Sequence, residues 1–254
     1  MSEFVRVTVD AGVMTVRLNR PDKKNALTGP MYAALTAALT TAESNDEVRA
    51  VVFCGVSGCF SAGNDLKDFI AGGDPAAARP AHALISALCH ATVPLIAAVD
   101  GVAIGIGTTL LLHCDFVYAT PRASFALPFV DLGVCPEAGS TLLLPRLVGY
   151  QRAAELLMLG EAFNAETANR YGLVTAVCGS EAVEATALAT ARKLAAKPPQ
   201  ALRETKQLMK RAEETVEARV KIEIECFNVL LRTAAAREIM TAFVEKRAPD
   251  KSKY

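Results

Sequence analysis

The first fifty residues alternate between hydrophobic and polar positions in a way that predicts two paired strands and a helix. Residues 5–9 and 14–18 each place valine, methionine or leucine at every second position, which is typical of half-buried strands. Asp10-Ala11-Gly12 between them predicts a hairpin turn. Hydrophobic residues then recur every three or four positions from Met31 to Ala42, and we expect a helix that Thr28 caps.

Farther along the chain, short hydrophobic runs of strand length alternate with helical patterns. Residues 48–54 and 95–99 are almost uninterrupted hydrophobic runs. Such strands, separated by helices, predict a parallel sheet that is covered on both faces. Glycine-containing loops follow the strands and lead into predicted helices near Asp65, Thr108 and Thr141. We therefore predict an α/β protein built of strand-strand-helix units, each of which presents backbone N–H groups at a helix N-terminus.

The character of the chain changes near residue 180, after which no strand pattern remains. Helix-forming residues dominate, and Pro198-Pro199 marks a break between two helices. We predict a core over residues 1–195 and a helical region over residues 196–254. The amphipathic helices of this region must pack on the core or on a partner subunit.

Composition excludes several classes of protein. The chain has 254 residues, 27 basic and 27 acidic side chains and no tryptophan, so nothing indicates a nucleic-acid-binding face. No uncharged hydrophobic run reaches the length of about 18 residues that predicts a membrane span. The seven cysteines form no CxxC pair, and we expect all of them to be reduced core residues. The three histidines are too scattered to predict a metal site.

Two loops and one carboxylate are the candidate chemistry. Residues 61–66 and 101–107 are rich in small side chains, so N–H groups from both loops could converge on one oxygen and form an oxyanion hole. Glu137 lies in a turn that enters a hydrophobic helix. From the spacing alone, ordinary strand-to-helix turns explain both loops better than an oxyanion hole does. Glu137 is also compatible with a carboxylate that complements a helix dipole. Lys23 and Lys24 are either solvated charges or partners of a phosphate.

Four segments together resemble the crotonase superfamily of enoyl-CoA hydratases and isomerases. Asn19-Arg20-Pro21 with Asn25-Ala26-Leu27 is similar to its opening NRP and NAL motifs. Residues 60–66 are similar to its FxAGxDL loop, residues 94–101 to its PxIAAVxG strand, and residues 242–247 to its AFxEKR element. Each motif is weak alone, but the set is highly specific and spans nearly the whole chain.

The resemblance implies a fold, a substrate class and site residues. The fold is a spiral of strand-strand-helix units with a C-terminal helical trimerisation region, assembled as a homotrimer or a dimer of trimers. The substrate is an acyl-CoA thioester, with no additional cofactor, and the N–H groups of Asn64 and Ile106 form the oxyanion hole. The residues that would bind CoA are Lys23, Asn25, Ala26, Ala62, Gly63, Asp65 and Leu66, together with Phe243 and Lys246 of a neighbouring subunit.

The carboxylates distinguish between the activities in this family. Thr109 and Phe129 occupy the positions of the two glutamates with which a hydratase activates water, and neither can act as a base near neutral pH. Segments with a single glutamate, such as the one around Glu137, resemble the peroxisomal-type Δ3,Δ2-enoyl-CoA isomerases. One carboxylate suffices to move a proton from C2 to C4 of a 3-enoyl thioester, in a pocket that Leu127 and Phe129 keep dry.

Two alternatives to the isomerase remain open at this stage. One is a hydratase-like enzyme in which Glu137 alone positions the water, and the other is a non-catalytic CoA-binding or interaction module. Residues 1–10 show no hydrophobic signal segment, and residues 251–254 do not match a peroxisomal address. We therefore expect a cytoplasmic protein.

Overall fold

The computed structural model describes residues 3–65, 79–211 and 216–253, which form an α/β structure with two sheets. The larger sheet has six strands in the order β1-β2-β3-β5-β7-β10, and the smaller has four in the order β4-β6-β8-β9. The strands are β1 Val5–Asp10, β2 Val13–Leu18, β3 Ala50–Cys54, β4 Cys59–Ser61, β5 Leu95–Val99, β6 Val102–Ile104, β7 Phe116–Ala119, β8 Ser124–Ala126, β9 Phe163–Asn164 and β10 Ala176–Val177.

Helices connect these strands and then make up the C-terminal part of the chain. They are α1 Gly29–Ser44, α2 Arg79–His90, α3 Ile106–Thr109, α4 Ser140–Val148, α5 Tyr150–Ala154, α6 Ala165–Arg170, α7 Val183–Ala195, α8 Pro199–Lys210, α9 Val216–Leu231 and α10 Ala234–Val244. A 3₁₀ turn over Leu110–His113 continues α3, and a π turn over Glu155–Leu159 continues α5. The mixed α/β fold that we predicted is confirmed.

The predicted parallel sheet is present and is covered on both faces. In the larger sheet β2, β3, β5, β7 and β10 pair in parallel and β1 adds an antiparallel edge, while β9 adds an antiparallel edge to the smaller sheet. Along β3, Val51 and Phe53 join the main hydrophobic core with α1 and α2, whereas Val52 and Cys54 pack with α7. Because both faces of β3 are buried, its sequence is a continuous hydrophobic run.

The N-terminal hairpin forms as predicted, with one difference in burial. Ala11 and Gly12 both adopt left-handed backbone conformations, with φ of 47° and 79°, as a two-residue hairpin turn requires. Because β1 is an edge strand, Val7 and Val9 are exposed, and only Val5 of this strand reaches the core. Thr28 precedes α1, but its side chain makes no capping hydrogen bond, contrary to our expectation.

Lysine side chains attach the C-terminal helices to the core. The Lys206 ammonium on α8 is buried, lies 2.7 Å from the Asp115 carboxylate and donates to the Val93 carbonyl oxygen at 2.7 Å. Asp115 Oδ2 also accepts the Leu95 N–H at 2.7 Å, so the ion pair connects α8 to the start of β5. One turn later, Lys210 donates to the Cys89 carbonyl oxygen at the end of α2. The helical region therefore packs, at least in part, on its own core.

Burial of the cysteines differs from our expectation. All seven are free thiols, but Cys89 and Cys135 are exposed and Cys54 and Cys59 are the buried ones. A cysteine in a hydrophobic stretch of sequence can still face solvent when the stretch is a helix end or a turn.

Among the helices of the described ranges, none combines the length and the hydrophobicity that a membrane span requires.

Candidate active site

Two loops that follow parallel strands are in direct backbone contact. β4 and β6 pair through Ser61 and Ala103, and the chain leaves both strands on the same side. Gly63 has φ of 90°, and a Cβ placed on it would lie 2.8 Å from the Ile104 carbonyl oxygen. A Cβ on Gly107 would lie 2.8 Å from the Ser61 carbonyl oxygen. Glycine at these two positions is therefore what lets the loops approach each other.

The N–H of Asn64 lies in the first of these loops, between two N–H groups that the fold uses. The preceding N–H, of Gly63, donates to Ser61 Oγ at 3.1 Å, and the following N–H, of Asp65, donates to the Leu27 carbonyl oxygen at 2.9 Å. In the part of the chain that the structure describes, the Asn64 N–H has no acceptor. It is therefore available to a ligand.

The N–H of Ile106 lies in the second loop, at the first residue of α3. The Gly105 carbonyl oxygen accepts the N–H groups of Thr108 and Thr109, each at 2.9 Å, which begins the helix. No acceptor for the Ile106 N–H is found within residues 3–65, 79–211 and 216–253. Since Gly63 packs against Ile104, both N–H groups lie next to the loop contact, and that of Ile106 is at a helix N-terminus, which favours negative charge.

Glu137 is placed beside these loops by a tight turn and by a hydroxyl from α3. Ala138 and Gly139 both have left-handed backbone conformations, with φ of 53° and 68°, and Ser140 N–H donates to the Glu137 carbonyl oxygen at 3.0 Å. The carboxylate Oε1 accepts the Thr109 hydroxyl at 2.5 Å. Burial raises the pKa of the Glu137 carboxyl, and the Thr109 hydrogen bond opposes this by favouring the ionised form.

Tyr32 contacts the first loop from α1. Its hydroxyl, on α1, donates to Asn64 Oδ1. Burial raises the pKa of this phenol, and the negative charge of Glu137 raises it further. Hydrogen bonds therefore link Tyr32 to Asn64 and Thr109 to Glu137, and Thr109 lies one helical turn from Ile106.

The predicted CoA residues Asn25, Ala26 and Ala62 lie where two loop segments join. Ala62 N–H donates to the Lys24 carbonyl oxygen at 2.8 Å, and Ala26 N–H to the Lys23 carbonyl oxygen at 2.9 Å. Both alanines are partly exposed, and Lys23 is exposed. These residues are therefore accessible to a ligand beside the loop that carries the Asn64 N–H.

The Asn25 side chain is turned inwards, which differs from the ligand contact we expected of it. It is fully buried, its amide donates to the carbonyl oxygens of Cys59 and Phe60, and its Oδ1 accepts the Arg20 N–H. Ser61 Oγ donates to the Asn25 carbonyl oxygen at 3.0 Å. These bonds use the polar groups of the side chain, so the Asn25 side chain fixes the loop, and a contact of its backbone with CoA stays a prediction.

The remaining predicted residues lie in different parts of the structure. Asp65 forms an ion pair with Arg20 at 2.8 Å, and Leu66 lies outside the described residues. Leu127 and Phe129 are buried in the main hydrophobic core, as is Ala138. Phe243 at the end of α10 and Lys246 just beyond it are exposed, and within this chain the structure does not bring them to Glu137.

Two residues of the site were missed in the sequence. Tyr32 was not singled out in the sequence, and the histidines were considered only as metal ligands. A hydroxyl on the buried face of a helix, or an imidazole within a run of leucines, needs a polar partner when it is buried, and this was the available signal.

In the described ranges, no group of three or more His, Cys, Asp or Glu side chains is arranged to hold a metal.

The fold and the site together define a class of enzyme with paired backbone donors beside a half-buried carboxylate on strand-strand-helix units. Comparison with known proteins gives the family: residues 8–253 match the enoyl-CoA hydratase/isomerase model. The chain belongs to this family, that of the crotonase superfamily, whose members act on acyl-CoA thioesters. The resemblance that we inferred from the motifs is confirmed.

Relatives with different activities are similar to this chain. The 1,2-epoxyphenylacetyl-CoA isomerase of Escherichia coli is 36% identical over 98% of both chains, and rat enoyl-CoA delta isomerase 2 is 36% identical over 84% of this chain and 56% of its own length. A solved structure from Magnetospirillum magneticum AMB-1, provisionally named an enoyl-CoA hydratase/carnithine racemase, is 49% identical with a TM-score of 0.96 over the whole of both chains.

Proposed function

We propose that this protein is a Δ3,Δ2-enoyl-CoA isomerase that uses Glu137 as its base. The observation that carries the proposal is the pairing of one half-buried carboxylate, held by the Thr109 hydroxyl, with two backbone N–H groups in adjoining loops that have no acceptor among the described residues. A base and an oxyanion site are the two elements that proton abstraction next to a thioester carbonyl requires.

The proposed reaction moves one proton and one double bond. The Glu137 carboxylate removes a proton from C2 of the 3-enoyl thioester, and the electrons pass to the carbonyl oxygen to give a dienolate. The N–H groups of Asn64 and Ile106 donate to this oxygen and stabilise its charge. The protonated Glu137 then returns the proton to C4, the double bond forms between C2 and C3, and the base is regenerated.

The environment of Glu137 suits both the removal of the proton from C2 and its return to C4. A carboxyl group of ordinary pKa gives up its proton readily but removes one from carbon poorly. Burial raises the pKa of Glu137 and therefore strengthens it as a base, whereas the Thr109 hydrogen bond keeps the ionised form accessible. We assign Leu127 and Phe129 to the acyl pocket, where their hydrocarbon surfaces would exclude water from the dienolate.

A hydratase is the second candidate, and the contacts of Glu137 favour it less. Water addition in this family uses two glutamates, and Thr109 and Phe129 stand at their positions. The Thr109 hydroxyl donates its one proton to Glu137 and cannot serve as the second carboxylate base. The 2,3-dehydroadipyl-CoA hydratase of Escherichia coli is nevertheless 36% identical over 98% of both chains, so this activity has to be tested directly.

The proposal extends to CoA and to assembly. The nucleotide part of the substrate would lie along Lys23, Ala26, Ala62 and Asp65, with no separate cofactor. We propose a homotrimer or a dimer of trimers, in which Phe243 and Lys246 from a neighbouring copy complete the CoA site. The exposed hydrophobic side chains of α9 and α10 support this assembly, because they are suited to contact with another chain: Ile224, Phe227, Val229, Met240 and Phe243.

A paired turnover assay tests the proposed function. The purified protein is mixed with a 3-enoyl-CoA or with a 2-trans-enoyl-CoA, and the absorbance of the conjugated thioester is followed. An isomerase increases the absorbance with the first substrate and leaves the second unchanged. Loss of absorbance with the second substrate would instead support the hydratase. No change with either, together with CoA thioester binding by calorimetry, would contradict both and leave the non-catalytic CoA-binding module.

A further inference from the structure

His113 is a buried histidine whose hydrogen bond ends next to the proposed base. The imidazole is 7% exposed, and its Nε2 lies 2.8 Å from the Ala138 carbonyl oxygen. A carbonyl oxygen only accepts hydrogen bonds, so Nε2 carries the proton and donates. Ala138 follows Glu137 directly, and the bond therefore fixes the peptide group immediately after the base.

The segment that this bond fixes has an unusual backbone. Ala138 has φ of 53° although it carries a Cβ, and Gly139 continues in the left-handed region at 68°. L-residues other than glycine rarely adopt such a conformation without support from the surrounding structure. The Ala138 side chain is buried, and its carbonyl oxygen points to His113. The turn that aims Glu137 is thus supported from α3 and its continuation.

The same helical segment holds the site at three points. Ile106 begins it, with a free N–H proposed for the oxyanion hole. Thr109 donates to the Glu137 carboxylate, and His113, one turn further, donates to the carbonyl oxygen of the next residue. One rigid segment of eight residues, Ile106–Thr109 continued by Leu110–His113, therefore contacts both the side chain and the backbone of the base.

We propose that His113 is a positioning residue that sets the direction of the Glu137 carboxylate toward the substrate. It touches neither the substrate nor the reacting proton; it holds the Ala138 carbonyl oxygen while Thr109 holds the carboxylate. With two attachments on one helix, the distance between the base and the Ile106 N–H is fixed before the substrate binds. Such preorganisation accelerates proton transfer, because a misplaced base must be reoriented in every turnover. This inference rests on the proposed role of Glu137.

The test compares two amide replacements of different length. In His113→Gln the side-chain amide nitrogen can reach the place of Nε2 and donate to Ala138, whereas in His113→Asn the amide is too short. We expect His113→Asn to lower the isomerisation kcat about tenfold with KM within about twofold, and His113→Gln to retain about a third or more of the kcat. Thermal unfolding of both variants shows that each is folded in the assay.

A double-mutant cycle separates a positioning role from a general structural one. If His113 acts through Glu137, His113→Asn should change the residual rate of Glu137→Gln by less than about twofold. An equal loss in both backgrounds, or a wild-type kcat in His113→Asn, would overturn the inference while leaving the proposed base intact. If Glu137→Gln itself keeps the wild-type rate, the proposed function fails, and the inference fails with it.

Discussion

Replacement of Gly107 by alanine should damage the oxyanion site although the residue lies in a helix. Alanine in place of glycine normally stabilises a helix by about 0.5–1 kcal/mol. Here the added Cβ would lie 2.8 Å from the Ser61 carbonyl oxygen and 3.1 Å from the Ser61 Cβ. Ser61 cannot yield freely, because its hydroxyl donates to the Asn25 carbonyl oxygen and accepts the Gly63 N–H.

The expected size of the effect follows from these contacts. Overpacking of this kind costs about 1–3 kcal/mol, which outweighs the gain in helix propensity. A net loss of about 1 kcal/mol lowers Tm by about 2–4 °C in a protein of this size. The two loops must also separate by a few tenths of an ångström. Because loss of a whole oxyanion donor costs about 10²–10³ in kcat, we expect a partial displacement to cost about tenfold.

The assay measures kcat for 3-enoyl-CoA isomerisation together with Tm, with Gly29→Ala as the matched control. Gly29 is the first residue of α1, and a Cβ there would meet no heavy atom within 4 Å. Its replacement should leave kcat unchanged and Tm unchanged or slightly higher. If Gly107→Ala behaves like this control in both measurements, the close contact between the loops does not exist as described, and the reasoning is refuted.

Three further variants probe other contacts of the same structure. Thr109→Val removes the hydrogen bond that stabilises the Glu137 carboxylate, so the pKa of that carboxyl group should rise. The acid limb of the pH profile of kcat/KM should therefore move to higher pH, and an unmoved limb would contradict the assignment of Glu137 as the base. Lys206→Met leaves Asp115 without its ion-pair partner and should lower the free energy of unfolding in urea by about 3 kcal/mol without changing kcat. Tyr32→Phe removes the hydrogen bond to the first loop and should lower kcat/KM about fivefold, equivalent to about 1 kcal/mol, while unchanged kinetics would show that this bond has no role in the site.

Sequence periodicity predicted the elements whose burial is decided locally. β5 matches the predicted run at residues 95–99, and α1 buries the predicted positions from Met31 to Ala42. The turn at residues 10–12 also forms as expected. These features depend on side chains that lie a few residues apart, so one stretch of sequence contains the necessary information.

The site could be predicted only in part, because its contacts join distant residues. The two loops were recognised from small side chains after strands, and Glu137 from its turn. The hydrogen bonds of Tyr32 to Asn64 and of His113 to the residue after Glu137 depend on how helices and loops pack. No periodicity encodes such partners. For the same reason the sequence did not reveal that the side chain of Asn25 is used within the fold.

The most direct test of the account is the isomerisation rate of Glu137→Gln, measured beside its affinity for a CoA thioester. Glutamine preserves the shape of the side chain and removes the base. The account predicts that kcat falls by at least about 10³, while the Kd for the thioester by calorimetry stays within about threefold of the wild-type value. A Glu137→Gln variant that isomerises a 3-enoyl-CoA at the wild-type rate would contradict the central claim.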